Sequence, residues 1–166
     1  RIQVEHPVTE KITGYDLVSE MIRIAGGASL SVKQEDIQIN GHSIEVRINA
    51  ENPAMQFLPS PGVITKLECD HAPEVRFDHF LYEGYAIPPF YDSLLGKLIV
   101  HGNSRDEAIA ALHQALEHTI ISGIETTIPL LVALAEDHEV KAGQIHTGWL
   151  EHWLEHHIGN IKPLKV

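Results

Sequence analysis

The chain has 166 residues, 43% of them hydrophobic, and 12 lysines and arginines against 23 aspartates and glutamates, for a formal net charge of −11. That is a globular composition, sized to bury roughly 70% of the surface its unfolded form exposes in at most two domains, and its acidity argues against nucleic acid and membrane surfaces as partners because no basic patch offsets it. The single cysteine, Cys69, excludes an internal disulfide, a four-cysteine zinc site and a CxxC redox motif and fits a reducing, cytoplasmic-type compartment, and no stretch approaches the about 20 apolar residues of a membrane span.

Residues 1–5 alternate polar and apolar with period two. The pattern predicts a strand with Arg1, Gln3 and Glu5 on one face, Ile2 and Val4 on the other, and Pro7 at its end. There is no initiator methionine and the pattern is already under way at Arg1, so the chain is expected to be the C-terminal part of something longer. Thr13 to Asp16 have the spacing of a capping box, and Leu17, Met21, Ile22, Ile24 and Ala25 recur at helical intervals before Gly26-Gly27. Residues 28–41 read as a polar connection in which Ile37 and Ile39 alternate, and Asn40-Gly41 suggests a hairpin from there into His42–Asn49. In that second strand Ile44, Val46 and Ile48 face one way while Glu45, Arg47 and Asn49 face the other.

Pro53, Pro59 and Pro61-Gly62 punctuate the next stretch, where a domain or subdomain boundary is expected. Strands follow at Val63 to Leu67, Val75 to His79 and Leu94 to His101, and 85–92 reads as a stiff loop. The last third turns helical. Ser104 and Glu107 form a capping box ahead of Ala108, Ile109, Leu112, Ala115, Leu116 and Ile120, Gly123 breaks that helix, and two more run over about 129–137 and 149–157. Strands first and helices after predict an α+β fold.

Three groups invite chemistry. The Arg1, Gln3, Glu5 face offers a guanidinium, an amide and a carboxylate about 6.5 to 7 Å apart, a set that would hold a small planar oxyanion and take its proton; its plain alternative is a solvated edge strand. Arg47 would lie near Gln3 or Glu5 if the two strands were neighbours, and could answer a developing oxyanion or enolate; the alternative is a cross-strand ion pair with Glu5 or Glu45. His152 and His156 stand one helical turn apart, without the H-E-x-x-H arrangement or an evident third ligand, so no metal site is expected. Tyr82, Tyr85, Phe90 and Tyr91 read as core packing beneath the rigid loop. GxGxxG, Walker A and GxSxG motifs are absent.

Residues 1–10, RIQVEHPVTE, resemble the signature of biotin carboxylases, the ATP-grasp enzymes that carboxylate biotin. The resemblance continues through Ile12-Thr13-Gly14, Asp16-Leu17-Val18, Ile22 to Ala25, Gly41-His42, Glu45 to Asn49, Phe57 to Gly62, and Tyr91-Asp92-Ser93 to Leu98. It implies that the residues matching Arg1, Gln3 and the Val4 amide bind bicarbonate, that the glutamate matching Glu5 deprotonates it, and that the arginine matching Arg47 stabilises the biotin enolate. Bicarbonate then attacks the γ-phosphate of ATP, and the carboxyphosphate formed yields CO2 for the carboxylation of biotin at N1′.

The resemblance further implies the end of an ATP-grasp domain over 1–35, a biotin carboxylase C-terminal domain over 36–158 and a tail or linker over 159–166. Its ATP- and Mg2+-binding residues lie upstream of the position matching Arg1, so no ATP turnover is expected from this chain alone. Implied partners are a biotin carboxyl carrier, a carboxyltransferase and a second copy in a homodimer whose interface includes the arginine matching Arg76. His6-Pro7 and Ile48 to Glu51 look closer to acetyl-CoA carboxylase members, and hence to fatty acid biosynthesis, than to pyruvate carboxylase. A non-catalytic dimerisation or docking module is the alternative. Carbamoyl phosphate synthesis is disfavoured by the 57–62 and 91–98 segments.

Overall fold

Apolar alternation places the main strands, and side-chain caps start the helices Leu17–Ala25, Arg105–Glu117 and His138–Ala142, in the computed structural model, which describes residues 1–69 and 72–161. In chain order the elements are α1 (His6–Thr13), α2 (Leu17–Ala25), β1 (His42–Asn49), β2 (Glu51–Asn52), β3 (Leu58–Pro59), β4 (Gly62–Val63), β5 (Lys66–Glu68), β6 (Val75–His79), β7 (Ala86–Ile87), β8 (Leu94–Gly102), α3 (Arg105–Glu117), β9 (Ile120–Ser122), α4 (Ile128–Glu136), α5 (His138–Ala142) and α6 (Trp149–His157). β1 and β6 flank β8 in a three-stranded antiparallel sheet, and the short strands pair as β2 with β3, β4 with β7 and β5 with β9. The α+β architecture is therefore the one the patterning predicts.

Register gives the main sheet two chemically different faces. Val46 lies opposite Leu98, and Leu98 opposite Phe77; Ile44, Val100 and Val75 form the next row. These side chains join Leu112, Ala115 and Leu116 of α3 and Ile128 of α4 in one apolar cluster. Ile48 and Ala50 precede the proline-rich stretch and Ile64 and Leu81 follow it, yet all four belong to this cluster, so one core runs across the boundary expected at 53–62. On the other face Arg47 opposes Lys97 and Lys97 opposes Asp78, with Glu45, Ile99 and Arg76 in the adjacent row. α1 packs against β1 and β8.

The helices follow their caps. Ser104 Oγ accepts from the Glu107 amide at 3.2 Å to start α3, while the Glu107 carboxylate reaches back to the Asn103 amide at 2.9 Å. α6 is fastened by its buried tryptophans: Trp149 Nε1 donates to Glu139 at 2.7 Å and Trp153 Nε1 to Asp137 at 2.9 Å. Burial pushes the Asp137 carboxyl up, but the Trp153 N–H and the Val140 and Glu139 amides outweigh that and hold it below the usual carboxylate range.

Several expectations are corrected. Residues 1–5 are not a strand: Val4 and Glu5 form a turn, closed by the His6 amide on the Gln3 carbonyl at 3.2 Å, and α1 starts at His6 with Pro7 in its first turn. A strand needs a partner for its backbone groups; here the turn and helix satisfy them, and Pro7 acts as a helix starter. Thr13 closes α1, and α2 is capped by Asp16, whose carboxylate accepts from the Ser19 amide at 2.7 Å. Ile37 and Ile39 form no hairpin, because β1 takes the longer apolar β8 as its partner. Ile120 belongs to β9, paired with β5, and not to α3. Phe90 and Tyr91 are 89% and 81% exposed, and Tyr82 is exposed too, so of the four aromatics Tyr85 packs on the core while Leu81 and Ile87 fill it.

Candidate active site

The polar face of the sheet and the turn lying over it bring two of the candidate side chains, Glu5 and Arg47, together. Arg47 Nη2 stands 3.3 Å from Glu5 Oε2, and both side chains are 54% exposed. The two were expected to meet as neighbouring strands; they meet instead because the 3–6 turn and α1 fold across β1. Arg1 donates from its guanidinium to the Ile2 carbonyl at 3.3 Å. The Gln3 carbonyl takes the His6 ring, with Nδ1 at 2.7 Å, as well as the His6 amide. The Val4 carbonyl accepts from Lys97 Nζ at 3.0 Å.

Behind this turn runs a charge network. Arg76 donates from Nε and Nη2 to the two oxygens of Asp78 at 2.8 and 2.7 Å, and from Nη1 to Glu10 Oε2 at 2.7 Å. Glu10 Oε1 in turn accepts from the Leu17 amide at 2.8 Å, tying the start of α2 to the same cluster. A bidentate guanidinium–carboxylate pair is the strong form of such contacts. Burial pushes Asp78 up, but the Arg76 fork and the charge of Lys97 hold its carboxyl below the usual range, and the Asp78 hydrogen bond leads the causes that raise Arg76 above its ordinary value. Arg76, expected at a dimer interface, is thus committed inside the chain, with about a third of its side chain still exposed.

Glu45 was visible from sequence only as a possible partner of Arg47. Its Oε2 is buried and has no hydrogen-bond partner among the described residues. Burial pushes its carboxyl up against the opposing pull of Lys97, Arg47 and His6. A carboxyl raised in the folded state costs stability once the pH passes the unfolded value of about 4.3. Glu45→Gln is therefore expected to raise the melting temperature at pH 7, with a gain that shrinks as the pH falls and Glu45 protonates; a lower melting temperature than wild type at pH 7 contradicts this.

Chemically, the Glu5–Arg47 pair offers an acceptor-only carboxylate beside a permanent cation, both open to solvent. Such a pair suits a proton acceptor next to a group that answers developing negative charge. A shallow cavity of about 490 Å³ adjoins the turn, lined by Gln3, Val4, His6, Asp78, Phe80 and Lys97 among others. Lys97 was missed as a site residue, although the signal was there: a lone charge in the apolar run 94–100. Away from this region, His152, Glu155 and His156 bring one ligand atom each within 4.8 Å of one another on the exposed face of α6.

Comparison with known proteins gives the family of the chain. The family described as biotin carboxylase C-terminal domain matches residues 45–152, and the ATP binding domain of the carbamoyl-phosphate synthase L chain matches residues 1–33. Biotin carboxylase 1 of Bacillus subtilis is 51% identical over 151 residues, which cover 91% of this chain and 34% of that protein. A pyruvate carboxylase subunit from Methanothermobacter thermautotrophicus is 50% identical over 153 residues, 92% of this chain and 31% of that protein. The biotin carboxylase domain dimer of Hydrogenobacter thermophilus 2-oxoglutarate carboxylase, solved with MgADP, ADP and bicarbonate, superposes with a TM-score of 0.92 at 45% identity, covering 99% of this chain and 36% of that one. The chain spans about a third of the length of the curated relatives it matches. With well over half of its residues inside the matched region, the chain belongs to the biotin carboxylase C-terminal domain family.

Proposed function

We propose that the chain is the C-terminal third of an ATP-dependent biotin carboxylase, which carboxylates biotin at N1′ in the first half-reaction of a biotin-dependent carboxylase. The observation that carries the reading is the Glu5–Arg47 contact at 3.3 Å, which joins a residue of the ATP-binding match to a residue of the C-terminal-domain match. Arg1, Gln3 and the Val4 amide bind bicarbonate, and the Glu5 carboxylate removes its proton. The bicarbonate oxygen attacks the γ-phosphate of ATP, releasing ADP. Carboxyphosphate then splits into CO2 and phosphate, phosphate takes the N1′ proton of biotin, and Arg47 stabilises the enolate that attacks CO2.

ATP and Mg2+ are held mainly by residues outside this chain, so the chain alone turns over no ATP. Residues 1–35 close the ATP-grasp domain, 36–158 form the C-terminal domain and 159–166 a tail or linker, of which 162–166 lie outside the described residues. Support for a larger body comes from α2, which buries none of its residues and leaves Val18, Met21, Ile22 and Ile24 exposed. An apolar stripe of this kind marks a contact surface, here with the rest of the ATP-grasp domain.

A carboxyl carrier, a carboxyltransferase and a second copy complete the assembly, with the exposed part of Arg76 at the homodimer interface. The biotin carboxylase domain of Hydrogenobacter thermophilus 2-oxoglutarate carboxylase is described as a dimer. The parent enzyme is read as an acetyl-CoA carboxylase on His6-Pro7 and Ile48 to Glu51, and as cytoplasmic on its single cysteine.

The test is bicarbonate-dependent ADP release by the complete protein with and without free biotin. A biotin-stimulated rate supports the ligase. No rate from the folded, magnesium-supplied protein favours a docking module that keeps the architecture without the chemistry.

A further inference from the structure

Lys97 is the lone charge between Leu94 and Val100 of β8, the central strand, where Leu95, Leu98, Ile99 and Val100 are all buried. Its own side chain is 14% exposed. An enclosed ammonium is costly unless its charge is answered and its donors are used. Asp78 answers the charge at 3.8 Å, and the Val4 carbonyl, 93 residues away in sequence, takes a hydrogen bond at 3.0 Å. Asp78 is itself gripped by the Arg76 fork, whose third nitrogen holds Glu10 of α1. The ammonium therefore projects from the central strand of the main sheet and is braced from its far side.

Two rigid peptide planes meet at the Val4 Cα. The first contains the Gln3 carbonyl and the Val4 N–H, and His6 holds its oxygen; the second contains the Val4 carbonyl and the Glu5 nitrogen, and Lys97 holds its oxygen. With both oxygens engaged, rotation about either backbone dihedral of Val4 strains one of these hydrogen bonds. The direction of the Val4 amide and the origin of the Glu5 side chain are set together.

We infer that Lys97 is a positioning residue of the bicarbonate site, acting through the Val4 carbonyl from behind the turn to aim the Val4 amide and Glu5. The inference rests on the proposed function. Lys97 does not supply the proton acceptor or the anion-binding groups; it fixes where they point. Misplacement by about 1 Å can cost on the order of 100-fold in rate, and the damage should fall on bicarbonate and not on the nucleotide.

The experiment is bicarbonate-dependent ADP release by the complete protein, with bicarbonate and MgATP varied in turn. For Lys97→Met, kcat/KM for bicarbonate is expected to fall about 10- to 100-fold while KM for MgATP stays within about twofold, and Lys97→Arg, which keeps charge and donor, is expected to recover most of the loss. Should Lys97→Met fail to fold, Lys97→Gln, neutral and shorter, is compared with Lys97→Arg and is expected to show the bicarbonate defect. An active unsubstituted protein whose neutral variant keeps its bicarbonate kcat/KM, or loses bicarbonate and MgATP together, overturns the positioning role and leaves the proposed function standing. An inactive unsubstituted protein overturns both.

Discussion

In the complete protein, Arg47→Ala is expected to abolish the stimulation of ADP release by biotin while leaving bicarbonate-dependent hydrolysis of ATP largely in place. Glu5→Gln is expected to lose both. The split follows from the division of charge at the site. A carboxylate that takes a proton from bicarbonate is needed before any phosphoryl transfer, and general-base removal costs about 10²- to 10⁴-fold. A cation that answers an enolate is needed only once biotin reacts, and losing one such group costs about 10²- to 10³-fold. Neither change should unfold the protein, because a pair with both side chains 54% exposed contributes about 0–1 kcal/mol. Steady-state ADP release with and without biotin reads both effects, and full biotin stimulation in Arg47→Ala refutes the assignment.

The second large effect is on stability. Leu98 sits at the centre of β8, fully buried between Val46 and Phe77. Leu98→Ala is expected to cost about 2–5 kcal/mol, the sum of lost transfer energy and a cavity that a strand paired on both sides cannot collapse to fill. At this size each kcal/mol lowers the melting temperature by about 2–4 °C. Thermal or urea unfolding measures it, and a loss under about 1 kcal/mol means that the sheet and α3 do not share the packed core described here.

Strands and helices with strong internal patterns are legible in the amino-acid sequence alone. His42–Asn49 and Trp149–His157 match their predicted ranges residue for residue, because a clean alternation or an amphipathic run with paired tryptophans leaves little for tertiary context to decide. Residues 1–5 show the opposite. Five alternating residues satisfy a strand pattern, yet the backbone there finds its partners in a turn, and Pro7 reads equally as a strand end and a helix start. Phe90 and Tyr91, read as core packing but exposed, show a related limit: composition says an aromatic wants burial and cannot say whether a proline-rich loop brings it to the core.

At the site, Glu5 and Arg47 were legible as residue types and through the biotin carboxylase signature, and the fold supplies the contact between them. The Lys97 bond to the Val4 carbonyl was not legible. It joins a side chain of the central strand to a backbone oxygen 93 residues away in sequence, and a carbonyl leaves no mark in residue identity. The buried Oε2 of Glu45 escaped as well, since alternation puts Glu45 on a polar face without showing that α1 covers that face.

The central claim is that the Glu5 and Arg47 site activates bicarbonate to attack ATP, and the most direct measurement is the fate of oxygen from ¹⁸O-labelled bicarbonate during turnover of the complete protein with MgATP and biotin. If carboxyphosphate forms, one of the three labelled oxygens leaves in inorganic phosphate and the other two appear in the carboxyl group on biotin. Phosphate that carries no label, with ADP still released, means that water attacks ATP and contradicts the account.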